Sequence, residues 1–272
     1  MLKTAGESWL RGEIVTAAVL SSPDRIRLTA EEITDVFDYL KMRNLMAEPD
    51  TLEDLYATSA AYAGFGIGLC EQYTDAYACE REEYRFPTQR VLHLDFTPES
   101  LSGTIKSLTS ARDGSVETTF IDIGLGLGRL AAQSTTSMPS PKDDTVYWTT
   151  IASRIRALVQ SFKPQITQLL LTGSSAADQR FRSVVKDALR DVVAQSVLNT
   201  HLNDRETTDD GGLSRGQVDT LVFATARGAA EVAKRRQEGP VRCAESEECK
   251  RRREREKGSS AQEEKTDAEL EL

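Results

Sequence analysis

The chain has four cysteines and two histidines in 272 residues. That is too little sulphur for a disulfide framework, and neither the Cys70/Cys79 pair nor the Cys243/Cys249 pair has a histidine beside it. Free thiols in a reducing compartment are expected, and no metal ligand set is readable. Long apolar runs are missing as well. No stretch approaches the roughly 20 residues needed to cross a bilayer, and the charged opening "MLKTAGESWLRGE" is not a secretory leader. Basic excess is also lacking. A formal charge of −9 argues against broad phosphate-backbone contact, so neither nucleic acid nor membrane is an expected partner. A cytoplasmic location follows, with "KRRRER" as a candidate nuclear address. No Ser/His/Asp or Cys/His arrangement is readable, so no catalytic residue is assigned.

What is present is ordinary for a globular chain: 39% hydrophobic and 28% charged residues, enough for one large domain or two small ones. "EIVTAAVLSS" (13–22) is a β-branched run read as a buried strand. A helix follows, with Thr29 and Glu32 as a capping box and Ile33, Val36, Phe37 and Leu40 at helical spacing. An alanine-rich helix is expected from about Thr51 to Gly64, ended by "GFGIG". "CEQYTDAYACEREEYRFPTQ" lacks periodicity and reads as a surface connection.

From residue 88 the period changes to two. "QRVLHLDFT", "SLSGTIKSLTS" and "SVETTFIDIGL", separated by short turns, predict an antiparallel meander. A Ser/Thr/Pro-rich loop (134–146) leads to a helix with an apolar stripe of Trp148, Ile151, Ile155, Leu158, Val159 and Phe162. Ile166–Leu171 reads as a buried strand. The next helix should bury Phe181, Val184, Val185, Ala188, Leu189, Val192 and Val193. "HLNDRETTDDGGLSRG" is polar loop, with His201 in it, and "QVDTLVFATARGAAEVAKRRQ" is a last helix with small residues on one side. His93, between Leu92 and Leu94, is read as an exposed or internally satisfied residue. Residues 238–272 form a polar charged tail expected to be disordered.

"VLHLDFTPESLSGTI" resembles the second phosphate loop of the actin/Hsp70 ATPase superfamily, a strand ending in Asp, a glycine-rich turn and a Thr. Asp95 falls on the Asp and Ser100 on the Thr, while Thr97, Pro98 and Glu99 replace glycines. "LLLTGSSAADQRFRSVV" is similar to that family's adenosine loop, with Gly173 and Ser175 matching and Ser174 replacing a second glycine. "VFATARGAAEVAKRR" looks like its closing helix through Gly228, Ala229 and Ala230. "LEDLYATSAAYAGFG" resembles the alanine-rich helix after a late strand of the first lobe, with Asp54 near the place of a catalytic-site Glu.

The resemblance implies an α/β protein of divergent fungal Hsp70-like type. Residues 85–237 would be an actin-like, RNase H-like lobe with a mixed sheet, and residues 1–80 the C-terminal remnant of a first lobe. The first phosphate loop, its lysine and the adenine-clamping subdomain are absent from the sequence, so the chain reads as N-terminally truncated and motif-degenerate. Pro98 removes one backbone donor, and Glu99 places a negative charge where phosphate would sit, costing roughly 1 kcal/mol or more.

The resemblance leaves Asp95, Ser100, Gly124, Gly126, Gly173, Ser174 and Ser175 as candidate nucleotide-binding residues, with ATP or ADP and Mg²⁺ as the ligand if the site survives. Gly173 with its two serines is equally explained by helix capping, and the Gly228 run by close helix packing. The expected function is a non-catalytic protein-interaction module that binds a partner or itself. The alternative is a nucleotide-binding or slow ATPase domain of a divergent chaperone.

Overall fold

The computed structural model describes residues 14–47, 55–129, 141–162, 165–202 and 213–239, together with Arg251. In chain order the first elements are β1 (Ala17–Ala18), β2 (Ser21–Ser22), α1 (Ala30–Leu40), β3 (Arg43–Asn44), β4 (Leu55–Tyr56), α2 (Ala57–Gly64) and α3 (Ala76–Tyr84). The meander follows as β5 (Gln89–Phe96), β6 (Leu101–Leu108) and β7 (Gly114–Asp122), then α4 (Pro141–Gln160), β8 (Gln168–Thr172), α5 (Gln179–Leu189), α6 (Gln195–Leu202) and α7 (Arg215–Glu238).

Period-two alternation along β5 gives the sheet two unlike faces. Strands run in the order β7-β6-β5-β8, with β5/β6 and β6/β7 antiparallel and β8 parallel to β5. The fold is therefore mixed α/β with a mixed sheet. Leu92, Leu94 and Phe96 point to one side, where they join Ile151, Ile155 and Leu158 of α4 and Phe181, Val185 and Leu189 of α5. Phe96 stacks on Phe181 with ring centroids 4.2 Å apart. Each such side chain contributes roughly 1.5–3 kcal/mol by leaving water, so this face carries most of the core.

The other face is more polar, and a helix of small residues covers it. Every residue of α2 from Thr58 to Gly64 is buried, because the helix is wedged between sheet and α7. Ala61, Tyr62 and Ala63 meet Val91, Leu108 and Leu170. On the far side the backbones of α2 and α7 nearly touch. A Cβ on Gly64 would lie 1.8 Å from Ala224 O, and one on Gly228 would lie 1.7 Å from Ala60 O. Only glycine permits that approach, so the small-residue side of the last helix is a packing surface.

Several expectations are corrected. "EIVTAAVLSS" does not make one buried strand. It makes the two-residue strands β1 and β2, half-buried and paired in parallel with β3 and β4, while Ile14 is exposed. Val36 is exposed, since α1 buries only Ile33 and Phe37. The alanine-rich helix begins at Ala57, with residues 51–54 outside the described set.

The supposed surface connection contains α3, capped by the Asp75 side chain on the Ala78 N–H. That helix carries Cys79 to Cys70, and the two form a disulfide with Cα atoms 5.1 Å apart. The free-thiol reading fails for this pair because an unforeseen helix lies between them. Residue 201 falls inside α6, not in a loop, and Val192 is partly exposed beyond the end of α5. The Ser/Thr/Pro-rich loop expected over 134–146 is shorter, since α4 already begins at Pro141, and the tail expected from 238 starts after Glu238, the last residue of α7. Residues 134–140, 240–250 with Cys243 and Cys249, and 252–272 lie outside the described residues. No helix among the described residues is long and apolar enough to cross a membrane.

Candidate functional site

The C-terminal ends of β5 and β8 bring most of the expected site residues together. Asp95 and Thr172 are register partners, and the Thr172 hydroxyl donates to Asp95 Oδ1 at 2.7 Å. Beyond Asp95 the chain turns through Thr97–Ser100 into β6. Gly126 packs on that turn, where a Cβ would meet Pro98 O at 2.3 Å and Ser100 N at 2.5 Å. Gly173 closes the other side. Its φ of +103° suits glycine, and a Cβ there would lie 2.2 Å from Phe96 O. Gly124 stands apart from this junction, at the end of β7, donating its N–H to Asp122 Oδ1. Ser175 is buried and Ser174 exposed. Neither serine caps α5. Asp178 does, accepting from Phe181 N.

Most of the backbone donors at this corner are already engaged. Thr97 N donates to Ser100 O at 2.9 Å. The Thr97 hydroxyl oxygen accepts the N–H groups of Glu99 at 3.2 Å and Ser100 at 3.1 Å. Pro98 has no N–H. Leu127 N and Gly128 N donate to Thr97 O and Pro98 O, and across the junction Gly173 N donates to Leu221 O and Ser175 N to Phe96 O. In place of a cradle of free N–H groups there is a turn that satisfies itself.

Directly behind this corner, on the polar face of the sheet, runs a buried chain of hydrogen bonds whose extent the sequence reading missed. Thr172 Oγ1 lies 2.7 Å from His93 Nε2, and His93 Nδ1 lies 2.9 Å from Thr58 Oγ1. Thr58 Oγ1 is 2.7 Å from Asp24 Oδ2, which also accepts the Thr58 backbone N–H at 3.0 Å. Beyond Asp24 the Lys106 ammonium stands 3.9 Å from Oδ1 and donates to Ser59 Oγ at 2.7 Å. The chain thus links β5, β8, β6 and α2 to the loop after β2. His93 is internally satisfied at both ring nitrogens and not exposed. The signal in the sequence was the alternation itself: His93 and Asp95 share one face of β5, and Thr104 and Lys106 share one face of β6.

Proton counting sets what this chain can do. A threonine hydroxyl has one proton to give. If Thr58 gives it to Asp24 and Thr172 gives it to Asp95, both imidazole nitrogens must donate and the ring is charged. If Thr58 turns its proton to Nδ1, the ring is neutral with its proton on Nε2. Asp24 Oδ2 then keeps the backbone N–H. Burial holds the His93 pKa below its ordinary value, against the opposing pull of Asp95 and Asp24, which favours the neutral arrangement. Lys106 is likewise held below its ordinary value by burial, with Asp24 opposing.

A separate cavity of about 510 Å³ is walled by the Cys70–Cys79 disulfide, Tyr73, Glu83, Arg112 and Arg235. Burial raises the Glu83 carboxyl above its ordinary range, while Arg112, bonds from Cys70 N and Ser110, and Arg235 pull it back. Cys70, Cys79 and Glu83 are close enough to share a metal ion, but as a disulfide the sulphurs offer no thiolate.

No family model matches the chain, and no curated protein matches it.

Proposed function

We propose that the chain is a degenerate Hsp70-like nucleotide-binding-domain protein, an RNase H-like lobe of actin/Hsp70 type kept as a non-catalytic protein-interaction module. Three features support the lobe assignment: an antiparallel meander with a fourth strand parallel to its first, a glycine at the β8 corner, and a long last helix packed through Gly228. The observation that carries the loss of catalysis is the self-satisfied turn. Phosphoryl transfer relies on positioned donors and cations around the phosphates, and here Thr97 takes the N–H groups of Glu99 and Ser100 for itself. The exposed Val36 and Tyr39 on α1, at 54% and 86% exposure, support a role in protein contacts.

A second reading has one observation in its favour: Asp95, Ser100, Gly126 and Gly173 do converge at the end of β5. On that reading the corner holds ATP·Mg²⁺ weakly. Melting curves with millimolar ATP·Mg²⁺ separate the two. A ligand that binds only the folded chain raises its midpoint. The module reading expects no shift. A clear shift that Asp95→Ala abolishes favours the nucleotide reading.

A further inference from the structure

Lys106 is a buried cation whose hydrogen-bonding capacity is only partly used. It sits opposite Val91 on β5, on the face of the sheet that α2 covers, so its side chain runs beneath α2 where most lysines would snorkel to water. The side chain is 5% exposed. An ammonium has three protons. Ser59 Oγ takes one at 2.7 Å, the Asp24 carboxylate at 3.9 Å is beyond hydrogen-bond reach, and the Tyr56 ring lies 5.3 Å away.

Lys106 opens onto a cavity of about 240 Å³ whose other walls include Met46, Leu55, Val116 and Val232. Arg112 adds a second cation to the wall, and among the described residues no carboxylate lines it. An apolar cavity of about 150 Å³ accepts a benzene ring, so this one has room for a ring or short chain with a head group. The walls formed by the described residues suit neither a bare, strongly hydrated phosphate nor a cation.

We propose that this cavity is a binding site for a small carboxylic acid with an apolar body, the carboxylate on Lys106 and Ser59 and the body against Met46, Leu55 and Val232. Asp24, which is not part of the cavity wall, opposes from behind the effect of burial on the lysine. The site is independent of the nucleotide corner.

The probe is benzoate, with benzyl alcohol and benzylamine as neutral and cationic analogues of the same shape, added to the full chain. Benzoate should raise the melting midpoint progressively with its concentration, as binding to the folded chain alone requires, the two analogues should not, and Lys106→Met should lose the response. In the unaltered chain, reductive methylation of Lys106, followed by peptide mass spectrometry, should slow about tenfold at ten times the dissociation constant, when the site is free roughly one-eleventh of the time. This readout stands even if Lys106→Met fails to fold. Unprotected Lys106, no midpoint shift with benzoate, or an equal shift with benzyl alcohol would each overturn the proposal.

Discussion

Thr58 of α2 and His93 of β5 meet through a buried 2.9 Å contact between hydroxyl and Nδ1, which ties the small-residue helix to the polar face of the sheet. The contact sits inside a chain ended by Asp95 and Asp24, so stability should respond to the protonation of one imidazole. Burial holds the folded-state pKa of His93 below 6.5, and the unfolded chain therefore takes up the proton more readily. The stability contributed by the neutral ring is complete above about pH 6.5 and falls away as the pH drops through the folded-state value. Urea denaturation across this range should show the decline, and His93→Gln should flatten it. Equal pH slopes in the two proteins would refute the assignment.

The Asp24–Lys106 pair makes a different prediction. Removing one member of a buried pair leaves the other charge uncompensated, at a cost of roughly 3 kcal/mol or more. Lys106→Met and Asp24→Asn should each destabilise the fold, and the double variant should lose much less than the sum. A double-mutant cycle from denaturation midpoints measures the coupling.

Glycine substitutions should separate contact from propensity. Gly216, near the start of α7, has nothing within 4 Å of the point where a Cβ would stand, so Gly216→Ala should stabilise by about 0.5–1 kcal/mol. Gly228→Ala, in the same helix, should destabilise by about 1–3 kcal/mol or more, because its Cβ would meet the Ala60 carbonyl and the helices must part. Chemical denaturation of the two variants reads the opposite signs.

The disulfide between Cys70 and Cys79 closes a loop of separation 9, which chain entropy values at about 2–3 kcal/mol. Dithiothreitol should lower the melting midpoint of the unaltered chain and leave that of a Cys70→Ser/Cys79→Ser variant unchanged.

The meander was legible because β5, β6 and β7 are strand-like runs separated by turn residues, and α1 because Thr29 and Glu32 spell a capping box that the structure forms on both sides. Helix α3 was not legible. None of its residues is buried, so it has no apolar stripe to read, and its cap and a disulfide hold it. The resemblance singled out Asp95, Gly126 and Gly173, and the structure brings them to one corner. The part Thr97 plays was not legible, because a side chain that satisfies its own turn cannot be distinguished in sequence from one left open to solvent. The polar relay was hidden for another reason. Alternation places His93 opposite Leu92 and Leu94, but it does not say what covers that face. The clue was α2 itself, a helix with small residues all round, which is the pattern of a helix buried on every side.

Titration calorimetry of ATP·Mg²⁺ into the full chain tests the account most directly. With the N–H groups of the β5–β6 turn bonded internally, no saturable heat should appear at millimolar nucleotide. A saturable one-to-one isotherm that Asp95→Ala removes would contradict it.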